Sequence, residues 1–83
     1  MLIRSPKELA LLVIDQRKKL KLSQADIGKL VGIKQQTISE FEIKPERTKL
    51  STLFYILSAV NLDIRAIARD EVAKTKTQWK EEW

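Results

Sequence analysis

The chain has 83 residues, a formal net charge of +5, and neither histidine nor cysteine. A chain of this length holds one hydrophobic core at most, and without disulfides it is stabilised most simply by self-association, so we expect a homodimer. The lack of imidazole and thiol groups, with only two glycines, removes thiol nucleophiles, imidazole bases, zinc clusters and glycine-rich phosphate loops together. We therefore expect a protein that is not an enzyme, with no metal, no cofactor and no small-molecule substrate.

The N-terminal residues lack the basic segment and apolar run of a signal peptide, and no stretch approaches the roughly 18 apolar residues of a membrane span. The expectation is a soluble, cytoplasmic protein with no membrane partner.

The positive charge is concentrated in residues 1–69. Residues 70–83 carry three lysines against four acidic residues, so they contribute −1 and residues 1–69 carry +6. We predict a folded domain over residues 1–69 and a flexible polar tail over residues 70–83. A basic domain suits a phosphate backbone or an anionic membrane surface, although excess lysine also serves solubility.

The first predicted helix begins after Ser5, because Ser5 can cap it, Pro6 is tolerated in its first turn and Glu8 completes a capping box. It should run to about Lys21. Its inward face is predicted to hold Leu9, Leu12, Val13, Gln16 and Leu20. Leu11 and Ile14 lie on another face, where they are either interface residues or ordinary exposed apolar side chains.

Two short helices joined by a tight turn follow. Ser23 and Asp26 repeat the cap signature for a second helix over residues 24–31, and Gly32 supplies the positive φ of the turn. The third helix is predicted over residues 35–42, with Ile38 and Phe41 facing inward. Gly28 allows the two helices to approach closely.

Residues 43–48 contain a proline and three charged residues and are predicted to form a loop. A strongly apolar fourth helix follows, which Asn61 is suited to end. We expect its apolar residues to form the centre of the core: Leu50, Leu53, Phe54, Ile56, Leu57 and Val60.

Residues 62–68 begin with strand-like alternation. A single strand finds no partner within this chain, so we predict that Leu62, Ile64 and Ala66 pair with their copies across a dimer axis. The alternative is a fifth short helix.

The exposed face of the third helix carries the side chains suited to reading DNA. Glutamine can pair with adenine, lysine can donate to guanine, and the threonine methyl can contact thymine in the major groove. The candidate base-reading residues are Lys34, Gln35, Gln36, Thr37 and Ser39. The candidate phosphate contacts are Gln24, Lys44, Arg47 and Lys49, although a solvating role suits single surface lysines equally well. A plain packing hairpin is the alternative for the helix pair.

Residues 22–28 and 31–39 resemble the Xre/Cro-type, lambda-repressor-like helix-turn-helix superfamily. The similarity covers about residues 9–62 and implies an all-α bundle of four to five helices whose third helix reads the major groove. Two positions depart from the family pattern, since Lys21 stands where Gly is frequent and Gly28 where Ala is frequent.

A closer resemblance is to the HipB-type antitoxins. It rests on the third helix, the apolar residues of the fourth helix, the strand-like segment and the final Glu82-Trp83. It implies a dimer that represses its own operon, with Lys34, Gln35, Thr37 and Ser39 at the DNA-reading positions. It also implies that the protein binds and neutralises a HipA-type serine/threonine kinase toxin. The alternatives are a stand-alone dimeric repressor and, more remotely, an interaction module that has lost DNA binding.

The tail residues Trp79 and Trp83 have no core of their own. The HipB-type resemblance implies that the tail docks on the toxin, and an aromatic anchor on a disordered segment is a common mode of partner binding. The alternative is that both tryptophans fold back on the domain.

Overall fold

The computed structural model describes residues 2–69. Four α-helices follow in order: α1 Pro6–Lys19, α2 Gln24–Val31, α3 Gln35–Ile43 and α4 Leu50–Ala59. A 3₁₀ turn, Pro45–Arg47, precedes α4. Helix α2 packs against α3 and α4, and α1 packs against α3. The predicted all-α, four-helix fold is confirmed, with α1 two residues shorter than expected, α3 one residue longer, and a 3₁₀ turn inside the predicted loop.

Serine caps begin the first two helices as the sequence predicts. The Glu8 amide donates to Ser5 Oγ at 3.1 Å, but the Glu8 carboxylate accepts from the Arg4 amide rather than from the Ser5 amide, so the capping box predicted at α1 is wrong. At α2 the capping box is complete, with Asp26 N to Ser23 Oγ at 3.0 Å and Ser23 N to Asp26 Oδ2 at 2.8 Å. The backbone hydrogen bond from Ser23 lowers the pKa of the Asp26 carboxyl.

All four helices contribute to one hydrophobic core. Its buried residues are Ala10, Val13, Ile27, Ile38, Phe41, Ile56, Leu57 and Val60. The predicted inward positions Ile38 and Phe41 are confirmed. Gln16, the polar residue among the inward positions of α1, is half-buried and its Nε2 donates to the backbone oxygen of Val60 at 3.0 Å. This bond ties α1 to the end of α4.

Part of the core predicted for α4 is wrong. Leu50 is 70% exposed and Phe54 is 55% exposed, whereas Leu53 is half-buried. The helix is apolar on more sides than one chain can cover, and only the side carrying Ile56, Leu57 and Val60 faces α2 and the rest of the core. On α1, Leu20 is also exposed rather than inward.

Residues 62–68 form neither a helix nor a strand in the described chain. The alternative of a fifth helix over these residues is therefore wrong. A strand that pairs only with its copy has no partner within one chain, so the dimer strand stays a prediction. Leu11 is exposed and Ile14 half-buried.

A residue in the left-handed conformation follows α1, α2 and α4 within two residues of each helix end: Lys21 with φ 61°, Gly32 with φ 72° and Asn61 with φ 59°. At α1 the Leu22 amide donates to the Arg17 carbonyl at 3.1 Å and the Lys21 amide to the Lys18 carbonyl at 3.0 Å. This is the Schellman arrangement, in which glycine is the least strained residue. Asn61 tolerates this conformation better than lysine does.

We expect the Lys21→Gly variant to be more stable by about 0.5–1 kcal/mol, because relief of left-handed strain outweighs the entropy that glycine adds to the unfolded chain. Urea unfolding followed by circular dichroism measures the change. Lys18→Gly, at an exposed position inside α1, is the matched control and should destabilise by about 1 kcal/mol. A Lys21→Gly variant less stable than the parent would contradict this account of the turn.

Candidate nucleic-acid interface

The turn between α2 and α3 fixes how the two helices cross. Gly32 is left-handed and the Ile33 amide donates to the Gly28 carbonyl at 2.9 Å. A Cβ built on Gly28 would overlap the backbone carbonyl oxygen of Ile33. The close approach predicted at Gly28 is therefore between α2 and the turn itself, and a larger residue there would move the start of α3.

The five predicted base-reading residues gather at the N-terminal end of α3. Lys34 is the N-cap residue of α3, and Lys34, Gln35 and Gln36 are exposed while Thr37 and Ser39 are half-buried. Ile38 and Phe41 anchor the opposite side of the helix in the core. Within residues 2–69 none of the five side chains makes a protein hydrogen bond. Their polar groups are available to a ligand.

Three of the four predicted phosphate residues line one shallow groove between α3, the 3₁₀ turn and the start of α4. They are Lys44, Arg47 and Lys49, all exposed, and the groove continues to Thr37 and Thr52. Glu40 is the acidic member of the lining, and Ile43 is 72% exposed beside it. The basic groove thus meets the predicted reading residues at Thr37 and extends from there toward Lys44 at the C-terminal end of α3.

The fourth predicted phosphate residue, Gln24, lies at the first position of α2 and belongs to a different cluster. Its Nε2 donates to Glu42 Oε1 at 2.9 Å. Arg17 of α1 donates two hydrogen bonds to the same carboxylate, from Nε to Oε2 at 2.8 Å and from Nη2 to Oε1 at 3.1 Å. Its Nη1 donates to the Leu22 carbonyl at 3.0 Å. The side chains of Arg17 and Glu42 are only 13% and 9% exposed.

Sequence reasoning missed this cluster of Arg17, Glu42 and Gln24. The ion pair joins residues 25 positions apart, and nothing in the local pattern distinguishes Arg17 or Glu42 from the other charged residues on their helices. We call it the Arg17–Glu42–Gln24 network. It links α1, α2 and α3 through one carboxylate, beside the helix pair that carries the candidate reading residues.

The predicted dimer-interface residues lie in the segment that follows α4. Leu62 is half-buried, and Ile64 and Ala66 are exposed. A concave surface formed by Leu62 and Ile64 also includes Phe54 and Leu57 of α4. Exposed Phe54, which the sequence placed in the core, therefore adjoins the predicted dimer strand. Trp79 and Trp83 lie outside the described residues.

In the described residues, no helix has both the length and the apolar character needed to cross a membrane. The same part of the chain holds no cluster of three acidic side chains suited to a metal ion.

A short turn between two helices, with an unpaired polar helix end beside a basic groove, defines a DNA-binding domain of the helix-turn-helix class. The helix-turn-helix family model matches residues 13–67. Antitoxin HipB of Escherichia coli (strain K12) is 35% identical over 82 residues, which span 98% of this chain and 93% of that protein. The chain belongs to the HipB family of antitoxins.

Solved structures agree with this family. HipB in a HipA-HipB-O2-O3 complex superposes with a TM-score of 0.80 at 37% identity, covering 82% of this chain and 96% of that one. HipB in a HipB-O4 20mer complex superposes with a TM-score of 0.79, again at 37% identity and with the same coverage.

Proposed function

We propose that this chain is a dimeric DNA-binding antitoxin that represses its own operon and binds and neutralises a HipA-type serine/threonine kinase toxin. The observation that carries the DNA-binding part is the polar N-terminal end of α3, unpaired within the described residues and joined at Thr37 to the basic groove. A repressor acts where the DNA is, so we place the protein in the cytoplasm and assign it no catalytic role.

In this proposal α3 enters the major groove with its N-terminal end first. Gln35 and Gln36 are exposed and can each pair with an adenine, Lys34 can donate to a guanine, and Thr37 and Ser39 lie further along the helix. Lys44, Arg47 and Lys49 then meet the backbone beside the reading helix, where they position the protein without reading sequence.

A second copy would present a second α3 to the next major groove, about 34 Å away on a pseudo-palindromic operator. Three features support dimerisation in this proposal: the small core, the exposed Ile64, and the exposed Phe54 that adjoins it. Leu62, Ile64 and Ala66 would pair across the two-fold axis. The relative in the HipB-O4 complex holds a 20mer, a length that accommodates two half-sites spaced by one helical turn.

We expect Gln35→Ala to lower the discrimination between the operator and a scrambled duplex by about 5- to 150-fold, because a paired adenine contact contributes about 1–3 kcal/mol. Gel shifts on both duplexes, at a fixed salt concentration, measure this ratio. Lys18→Ala, on the exposed side of α1, is the control and should leave the ratio unchanged. Undiminished discrimination in Gln35→Ala combined with Ser39→Ala would remove α3 from sequence reading.

The kinase partner is proposed from the family, since a relative is solved in complex with HipA. Trp79 and Trp83 are the proposed contacts in the tail. We expect Trp83→Ala to weaken binding to the HipA-type toxin by about 30-fold or more, because tryptophan truncations at binding hot spots cost at least 2 kcal/mol. DNA affinity should stay the same, and Lys80→Ala is the control. Equal toxin affinity in both variants would exclude Trp83 as the anchor.

The partner itself is tested by purifying the tagged protein from its native cells and identifying bound proteins by mass spectrometry. A stoichiometric kinase-like protein supports the antitoxin function. Recovery of a DNA-binding dimer alone would favour the stand-alone repressor.

A further inference from the structure

We propose that Glu42 is a positioning residue for DNA binding, which orients the Gln24 carboxamide toward the phosphate backbone while Arg17 cancels its charge. The inference rests on the proposed function, because it assigns Gln24 to a phosphate contact. It adds that the contact is prepared by two residues that never touch DNA.

The contact with Glu42 fixes the direction of the Gln24 carboxamide. This group has a donating NH₂ end and an accepting oxygen end, and free rotation would present either end to a ligand. The Glu42 carboxylate only accepts, so the 2.9 Å contact requires the NH₂ end of Gln24 to face Glu42. Phosphate also only accepts, and the second N–H of the same NH₂ group is the donor left for it.

Arg17 neutralises the charge of the Glu42 carboxylate. A carboxylate close to a phosphate contact would repel the phosphate, and Glu42 is only 9% exposed, so solvent screens it poorly. Arg17 contacts both oxygens of this carboxylate at 2.8 and 3.1 Å. The Arg17–Glu42 pair has no net charge. Gln24 therefore meets a hydrogen-bond acceptor of fixed direction, the Glu42 carboxylate, without a net negative charge beside it.

The backbone at the start of α2 also bears on the phosphate contact. Gln24 is the first residue of the helix, and the Asp26 and Ile27 amides are already occupied by Ser23 at 3.0 and 3.1 Å. The Gln24 and Ala25 amides have no acceptor within residues 2–69. A helix start with free amides favours an anion, and the oriented carboxamide adds a side-chain donor at the same place.

The test is a double-mutant cycle on affinity for a mixed-sequence 30-base-pair DNA duplex, because a phosphate contact does not depend on sequence. The proteins are the parent, Gln24→Ala, the pair replacement Arg17→Met with Glu42→Leu, and the triple variant. The pair replacement removes the acceptor and both charges while keeping the buried volume filled, which leaves stability near that of the parent. Circular dichroism verifies folding before each titration.

We expect Gln24→Ala to weaken binding about 10-fold, the size of one hydrogen bond to a charged group. The pair replacement should weaken binding by a similar factor, and the triple variant should bind no more weakly than the pair replacement. Effects that multiply in the triple variant, or a pair replacement that binds like the parent, would overturn the positioning role.

A Gln24→Ala protein that binds DNA as tightly as the parent would also overturn the positioning role of Glu42. The proposed DNA-binding function would still stand in that case if Lys44→Gln combined with Arg47→Gln weakened DNA binding. If the pair replacement fails to fold, Glu42→Asp replaces it. That change keeps a charge for Arg17 but withdraws the acceptor from Gln24 by one methylene. In the parent, the Gln24 side-chain amide protons should change their nuclear magnetic resonance shift when DNA is added, and Glu42→Asp should reduce this change; a DNA-induced change of equal size in both proteins would overturn the positioning role.

Discussion

Replacing Glu42 with alanine lowers the free energy of unfolding by about 3–5 kcal/mol, because it leaves the Arg17 guanidinium buried without its counter-charge. Arg17 is 13% exposed and directs three of its donors at Glu42 and at the Leu22 carbonyl. A small domain has a total stability of about 5–15 kcal/mol, so this variant should be largely unfolded at moderate urea concentrations. Urea titration followed by circular dichroism gives the value.

The control for Glu42→Ala is Asp15→Ala. Asp15 pairs with Lys19 at 3.3 Å, but both side chains are more than 60% exposed. Water screens such a pair, and its removal should cost less than about 0.5 kcal/mol. The combined Arg17→Met and Glu42→Leu variant should recover most of the stability that Glu42→Ala removes. A change below about 1 kcal/mol in Glu42→Ala would show that water compensates Arg17 and that the network does not hold the three helices together.

The second large effect concerns the basic groove. Lys44→Gln combined with Arg47→Gln should reduce the slope of log affinity against log salt by about 0.9 for each phosphate that the variant no longer neutralises, or about 2 for each bound protomer. At 0.1 M salt the same relation corresponds to an affinity that is roughly 60-fold weaker for each protomer. Binding to operator and scrambled duplexes should fall together, since these residues position the protein without reading bases.

Lys7→Gln combined with Lys18→Gln is the matched control, because it removes the same charge from exposed positions on α1. It should change the salt slope far less, since charges that do not meet phosphates release few counterions. If both double variants lower the slope equally, only the net charge of the domain matters, and the groove beside α3 has no special place in DNA binding.

These two predictions separate the stability of the helix-turn-helix unit from the strength of its contact with DNA. Arg17 and Glu42 are nearly buried, so Glu42→Ala, which leaves one buried charge unpaired, acts mainly on unfolding. The groove residues are exposed, and none of them pairs with an acidic residue within residues 2–69. Their substitution should therefore alter DNA binding with little change in stability.

The sequence by itself determined the helices and the turn that define the class. The caps at Ser5 and Ser23, the left-handed Gly32, and the inward spacing of Ile38 and Phe41 all follow from residues within one or two helical turns of each other. The polar end of α3 was predictable for the same reason, since it is the other face of the helix that buries those two residues.

Only the tertiary structure decided how the helices share their surfaces. It placed Lys44, Arg47 and Lys49 around one groove, joined Arg17 to Glu42, and left Leu50 and Phe54 exposed on a helix that is apolar on several sides. The bond from the Gln16 side chain to the backbone oxygen of Val60 also belongs to this level. Local spacing tells which residues lie on one face of a helix, but which face is buried and which charges meet depend on segments far apart in the chain, brought together when the core packs.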